Sequence, residues 1–329
     1  MQKGLRAVAI YRNADAVTNL AERLDEVERG ASTHWLEMHQ TFEYRAGRLD
    51  GLKGFGGFIP RSSLLRRVGH RLMQRPYRQM AKSFAEFPRW DAMAAKLARS
   101  QGRIYDLDML RQSITLAFLR DLLPDCMSPN STLLVIGDGF GTLSSLALMA
   151  EPQLRVILVN LTKTLLVDLI FIQRGVPEAT IALPTTAESM QLAIADGKVK
   201  VIAVRADDCM FVREAKIDLA VNIASMQEMN PAAIEGYFVA MRSRRESSGS
   251  DLYFYCCNRE EKVFSDGTTV RFADYPWSRD DLVLADELCP WHQFYYALLP
   301  PRYLPYDGPI RHRLIKMAKC NSSVSVPIL

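Results

Sequence analysis

The chain has no apolar run long enough for a membrane. None reaches the roughly 18 uninterrupted apolar residues of a span, and the longest candidate, residues 156–172, is broken by Asn160, Thr162, Lys163, Thr164 and Asp168. The first residues, Met-Gln-Lys-Gly-Leu-Arg, lead into no apolar segment with a small-residue cleavage site, so no signal peptide is expected. Cysteine is scarce. The six residues, at 126, 209, 256, 257, 289 and 320, contain no Cys-x-x-Cys pair and suggest no zinc spacing, so no metal set is expected and a reduced, cytoplasmic compartment fits best. Cys256 and Cys257, inside a strand-like run, read as small buried hydrophobes. No internal repeat or low-complexity tract is evident.

What is present supports a large core. Hydrophobic residues make up 48% of 329, enough for one large domain with an accessory segment. The net charge of +4 is unevenly spread: residues 61–103 hold eleven Lys or Arg against Glu86 and Asp91, a local +9 that leaves −5 elsewhere. Such a face could attract an anionic substrate, a membrane surface or nucleic acid, and a plain solvated face explains it too.

Residues 13–30 read as an amphipathic helix with Val17, Leu20, Ala21, Leu24 and Val27 on one face and Gly30 as the stop. A short helix is expected from Ser32, a glycine-rich loop over 51–60 and a helix over 90–100 ending at Gly102. Residues 1–104 thus form a helical, basic accessory region ahead of a main domain, 105–329. There, Asp106 or Asp108 caps a helix with an apolar stripe at Leu107, Leu110, Ile114, Phe118 and Leu122, ended by Pro124. Strands at 132–136, 154–160, 200–204, 218–222 and 251–257 then alternate with helices at 141–150, 162–174 and 231–244. A further helix near 186–195 is announced by the capping-box pattern Thr185-x-x-Glu188. That alternation predicts a parallel sheet with helices on both faces and ligands beyond the carboxyl ends of its strands.

The stretch Thr-Leu-Leu-Val-Ile-Gly-Asp-Gly-Phe-Gly-Thr-Leu-Ser, from Thr132, points to the ligand. Gly137, Gly139 and Gly141, flanking Asp138 and Phe140, can take positive φ and admit a nucleoside to the main chain at a helix N-terminus. A dinucleotide fingerprint is G-x-G-x-x-G; here its third glycine is replaced by Thr142, which disfavours an NAD oxidoreductase and suits S-adenosylmethionine. Asn160 stands near the ribose-binding offset, beside Leu161, although a strand-end asparagine also caps helices. Asp207 and Asp208 are candidates for the adenine amino group. In the block Asn222-Ile-Ala-Ser-Met-Gln-Glu-Met-Asn-Pro, the Asn230-Pro231 helix start puts Asn222, Ser225, Gln227 and Glu228 in the turn at the mouth of the site.

That block, together with Val-Ile-Gly-Asp-Gly-Phe-Gly, Tyr237-Phe, Asn258-Arg259, Asp274-Tyr-Pro-Trp and Cys289-Pro-Trp-His, resembles the sugar O-methyltransferases, a branch of the class I S-adenosylmethionine-dependent enzymes. The likeness covers about 105–291, with a fainter echo around 32–35. It implies a Rossmann-like α/β fold with a mostly parallel, seven-stranded sheet. It also implies S-adenosyl-L-methionine as cofactor and methyl transfer to a sugar or glycan hydroxyl, assisted by a general base, His292 or Glu228. Arg111 is then a candidate for the methionine carboxylate, Gln227 and Asn258 for the substrate, and Arg259 and Arg271 for an acidic sugar or phosphate. Two usual acids are absent, replaced by Val135 and Asn160, which lowers the negative charge near a cationic cofactor. An RNA methyltransferase and a non-catalytic binding protein are the alternatives; nucleic acid is disfavoured by the lack of a recognised RNA-binding motif, and a homo-oligomer stays open.

Overall fold

A computed structural model describes residues 10–45, 47–52, 64–244 and 251–318. Most of the expected loop at 51–60, the start of the basic segment, Cys320 and the tail at 321–329 lie outside the described residues. The chain opens with strand β1 (Ile10–Arg12), helices α1 (Ala14–Glu22) and α2 (Thr33–Met38), and a hairpin of β2 (Glu43–Arg45) and β3 (Arg48–Asp50). Helices α3 (Leu64–Met73), α4 (Arg75–Met80), α5 (Phe87–Ser100) and α6 (Leu107–Leu122) follow. Strand and helix then alternate through β4 (Thr132–Ile136), α7 (Thr142–Ala150), β5 (Arg155–Asn160), α8 (Thr162–Gly175), β6 (Thr180–Pro184) and α9 (Ala187–Ala195). They continue with β7 (Val199–Arg205), β8 (Leu219–Ile223), α10 (Pro231–Arg242) and β9 (Tyr253–Arg259). The last part is a β10 (Glu261–Val263) and β11 (Thr269–Arg271) hairpin, β12 (Leu282–Leu288), a β13 (Phe294–Leu298) and β14 (Pro301–Pro305) hairpin, and β15 (Ile310–Lys316).

Continuous apolar strands such as β4, buried along its whole length, belong in the middle of a sheet covered on both faces. They sit there, in a nine-stranded sheet ordered β1-β6-β7-β5-β4-β8-β9-β15-β12. The run from β6 to β9 is parallel, and β1 and β15 oppose it. The fold is therefore α/β and Rossmann-like, but with nine strands where seven were expected. The two extra strands, β6 and β1, extend one edge. Neither stands out in sequence, because β6 is a five-residue run ending in Pro184 and β1 has three residues. Chain direction diverges on either side of β4, so a cleft is expected where β4 meets β8.

Described residues from the first hundred pack onto this sheet. β1 pairs with β6, and Ala16, Leu20, Trp35, Trp90 and Leu97 share one apolar core with Leu133 and Val135. The expected helix over 13–30 ends at Glu22, and Val27 is 90% exposed. The chain leaves the helix there to lie over the strand ends: Glu26 pairs with Arg205 at 3.0 Å, and Glu28 accepts the Thr162 N–H (2.6 Å) and hydroxyl (2.9 Å) at the start of α8. Two caps also differ in detail. Asp106 rather than Asp108 caps α6, accepting from Met109 N at 2.9 Å, and the box on α9 pairs Thr186 with Ser189 because the helix starts one residue later than Thr185-x-x-Glu188 implies.

Candidate functional site

The loop from β4 to α7 is held in a left-handed path: Gly137, Gly139, Phe140 and Gly141 all have positive φ. Phe140, at φ 64°, is strained backbone of the kind found at ligand sites. Two of the glycines are required by the protein's own packing. A Cβ on Gly137 would stand 2.0 Å from Ser225 Oγ, and one on Gly141 would stand 2.4 Å from Ile172 Cγ1 and 2.7 Å from the Asp168 carbonyl oxygen. The loop is thus pinned against α8 on one side and the β8 turn on the other. Asp138 turns inward and accepts from Leu143 N and Ser144 N, both at 2.8 Å, at the N-terminus of α7.

Asn160, expected to meet a ribose, is tied inside the protein. Its Nδ2 donates to Asp168 Oδ2 at 2.8 Å and its Oδ1 accepts from Leu161 N at 3.0 Å. Asp168 also accepts from Gly141 N at 3.0 Å. Burial, then the neighbouring Asp138, pushes the Asp168 carboxyl well above its ordinary range; burial likewise raises Asp138. The acid missing from the end of β5 has a counterpart one hydrogen bond behind it, on α8.

A second network occupies Asn222, Asn258 and Gln227. Asn222 Nδ2 donates to Ile136 O and Asn258 Nδ2 donates to Asn222 Oδ1, each at 2.8 Å. Gln227 N donates to Asn258 Oδ1 at 3.1 Å, and Gln227 Oε1 accepts from Arg259 N at 2.7 Å. These three polar side chains lace β4, β8 and β9 together beneath the site and line none of its cavities. Asn258 lies within β9 rather than after it.

Three cavities open beyond the carboxyl ends of the strands. The first, about 210 Å³, is walled by Gly137, Asp138, Gly139, Phe140, Ser225 and His292, among others. Trp35, Asn160 and Ser225 also border a second cavity of about 150 Å³, an apolar slot between Leu161, Cys209, Met229 and Tyr237. The third is an open groove of about 640 Å³, lined by His70, Arg259, Tyr295, Tyr296 and Tyr306, which meets the first cavity at Asp108 and Arg111.

The other expected residues divide plainly. His292 is buried in the wall of the first cavity; burial, then Arg111 and His312, holds its imidazole well below the ordinary value, and its Nε2 has no partner. Glu228 is on the same wall, with Lys262 Nζ at 3.1 Å and His34 Nε2 at 3.7 Å. Arg111 borders the cavity, but its guanidinium donates to Trp291 O (2.9 Å), Asp108 (3.3 Å), Phe294 O and the Tyr306 hydroxyl. Asp207 accepts from Arg29 N and Gly30 N at 3.3 and 3.4 Å, and neither it nor Asp208 lines any of these three cavities. Arg271 is exposed, paired with Glu261 at 2.6 Å, and lies outside all three cavities.

Several lining residues were not expected at the site. Arg103 lies over the Phe140 ring at 4.5 Å and donates to Thr142 Oγ1 at 3.2 Å. Gln112 presents a buried, unpartnered Oε1, Trp35 closes the seam between the two smaller cavities, and Asp108 stands where cavity and groove meet. Arg103, Asp108 and Gln112 lie close together ahead of the glycine loop, and packing of α6 against that loop brings them to it. Against the expectation of no such set, among the described residues Cys289 and His292 meet Cys257, with the side-chain sulfur and imidazole nitrogen atoms within 4.8 Å of one another.

No family model matches the chain, and no curated protein matches it. Among solved structures it is similar to the pyocyanin biosynthetic protein PhzM, at 15% identity over 64% of this chain and 57% of that one, with a TM-score of 0.35. It is similar to the mitomycin 7-O-methyltransferase MmcR over the same shares, also at 15% identity, with a TM-score of 0.33. An RNA methyltransferase candidate of Pyrococcus horikoshii aligns over 71% of this chain and 98% of its own at 15% identity, with a TM-score of 0.40. The chain spans a little over half the length of the first two. With scores this low these likenesses carry no assignment, and the functional reading rests on the site's own geometry.

Proposed function

We propose that the chain is an S-adenosylmethionine-dependent methyltransferase that methylates a hydroxyl of a sugar or glycan. The observation that carries this reading is the run of cavities: an apolar slot, a polar chamber sharing Trp35, Asn160 and Ser225 with it, and an aromatic groove entering that chamber at Asp108 and Arg111. The slot between Leu161, Met229 and Tyr237 suits an adenine ring. In the chamber, the unpartnered Gln112 Oε1 answers an ammonium group, and Asp138 and Asp168 beneath the glycine loop answer positive charge. Bound there, S-adenosylmethionine would supply an electrophilic methyl group.

The chain's own residues do the rest. Tyr295, Tyr296 and Tyr306 offer faces for the apolar side of a pyranose, and Arg259 offers its guanidinium to a carboxylate or phosphate on the sugar. His292 is the base we assign. Kept neutral by burial, its imidazole has a free Nε2 to receive the hydroxyl proton, while Glu228, held by Lys262, sets the charge of the same wall.

The test is incubation with methyl-labelled cofactor and a panel of free, nucleotide-linked and lipid-linked sugars, with transfer RNA as a separate arm. Label in a sugar ether is the expected result, and His292→Gln should lower kcat about 100-fold or more at unchanged cofactor affinity. Label confined to RNA, or no cofactor binding by calorimetry, would sink the reading.

A further inference from the structure

Helix α3 is amphipathic with its apolar stripe turned outward. At about 100° per residue, Leu64, Leu65, Val68 and Leu72 fall on one arc of the helix, and that arc is in solvent: Leu64 is 67% and Leu65 84% exposed, and Val68 and Leu72 are about half exposed. The opposite face is fastened. Gly69 lies against Leu298, His70 Nδ1 and the Tyr296 hydroxyl are 2.7 Å apart, and Met73 O accepts from the Tyr303 hydroxyl at 2.9 Å. In the next helix, the Tyr77 hydroxyl donates to Phe294 O at 2.9 Å. The helix therefore cannot roll to bury its leucines. Beside it, the turn of the β13–β14 hairpin carries Leu299, 92% exposed.

Arginines border this stripe. Arg67 and Arg71 follow on the same exposed arc, and Arg75 opens α4, all within the segment that carries the local +9. An aliphatic stripe edged by arginine fits one environment best, the headgroup and acyl boundary of an anionic bilayer. A second copy of the chain on this face would set Arg67 and Arg71 near their own counterparts, and nucleic acid would answer the arginines while leaving the leucines bare.

We propose that α3 and the turn of the β13–β14 hairpin seat the protein on an anionic membrane surface. His70 on α3 and Tyr295 and Tyr296 on the hairpin also line the large groove, so docking brings the groove to the bilayer surface, where a lipid-borne sugar is presented. That second step rests on the acceptor reading above; the docking itself does not. The insertion is shallow, since no helix among the described residues is long and apolar enough to cross a membrane.

The experiment is co-sedimentation of the full chain with vesicles of phosphatidylcholine, alone or mixed with phosphatidylglycerol, without cofactor or sugar. Partition onto the anionic vesicles is expected to fall about tenfold for Leu65→Glu, and roughly 25-fold for the Arg67→Ala/Arg71→Ala pair at about 1 kcal/mol per arginine. All these positions are exposed, so an unchanged Tm confirms folded variants. No sedimentation, equal sedimentation with neutral vesicles, or indifference to Leu65→Glu overturns the proposal. So does a dimer that Leu65→Glu dissociates without any vesicle binding, which assigns the face to a second copy. Because the assay contains no methyl donor, a failed methyltransferase reading leaves its result intact.

Discussion

Where β4, β5, β8 and β9 end, nearly every polar side chain is spoken for: Asn160 by Asp168 and Leu161, Asn222 by Ile136 and Asn258, Gln227 by Arg259. Across the chamber, in the groove between α6 and the β13–β14 hairpin, His70 Nε2 and Arg259 Nε are buried without partners, and tyrosines line open space. The first region is preorganised by short bonds within the protein. The second holds unspent hydrogen-bonding capacity. A cofactor used at every turnover needs a rigid seat, whereas an acceptor that must enter and leave needs groups whose bonds are made only on binding.

The rigid side should break most sharply. Gly141→Ala places a Cβ 2.4 Å from Ile172 Cγ1 and 2.7 Å from backbone at Asp168, in a left-handed conformation. A loss of about 3–5 kcal/mol is expected from the urea midpoint, overpacking adding to the strain. Gly102→Ala is the control, with the same sign of φ but open space around its Cβ, and should cost about 1 kcal/mol. Equal losses at the two positions would remove contact with α8 as the reason for glycine at 141.

The buried amide network comes next. Asn258→Ala leaves Asn222 Oδ1 with one donor fewer and Gln227 N without its acceptor, inside a site with no solvent exposure at Asn258. A cost of about 2–3 kcal/mol is expected in denaturant unfolding. On the groove side, Tyr295→Ala should leave stability within about 0.5 kcal/mol and act on acceptor KM instead. If Asn258→Ala were as mild as Tyr295→Ala, the contrast between the two regions would be false.

The same contrast explains what could be read in advance. The glycine loop, the Asn160 strand end and the Asn222 block are each local in sequence, and β-α alternation fixes where local patterns land, so the sheet centre and the place of these turns at its strand ends were legible. The polar character of the Asn222 block was legible too, but its direction was not: Asn222, Gln227 and Asn258 face one another because β8 and β9 pair, a contact no spacing reveals. The groove joins His70, Asp108, Arg259, Tyr295 and Tyr306 from four separate stretches, and only tertiary packing brings them together. α3 shows a further limit. Apolar periodicity marks a helix, but it cannot say that the apolar stripe faces outward.

The smallest effect is the most specific to the cofactor reading. Asp138 and Asp168 have carboxyls raised by burial, and Asp168 further by the Asp138 charge, so raising the pH through that raised range ionises them in the folded protein. Each ionisation adds negative charge beneath the glycine loop. A sulfonium cation gains from it, while the neutral thioether of the demethylated product, identical elsewhere, does not. Affinity for S-adenosylmethionine relative to S-adenosylhomocysteine should therefore rise with pH, by about fivefold once both carboxyls have ionised, at an effective dielectric near 20. Asp168→Asn should flatten the slope. The neutral side chain can still accept from Gly141 N, so the loop keeps one tie while losing the titrating charge. Calorimetry with the two ligands across that range measures the ratio directly. A constant ratio in the native chain would mean that the buried acids serve the loop alone and contribute nothing to recognising positive charge.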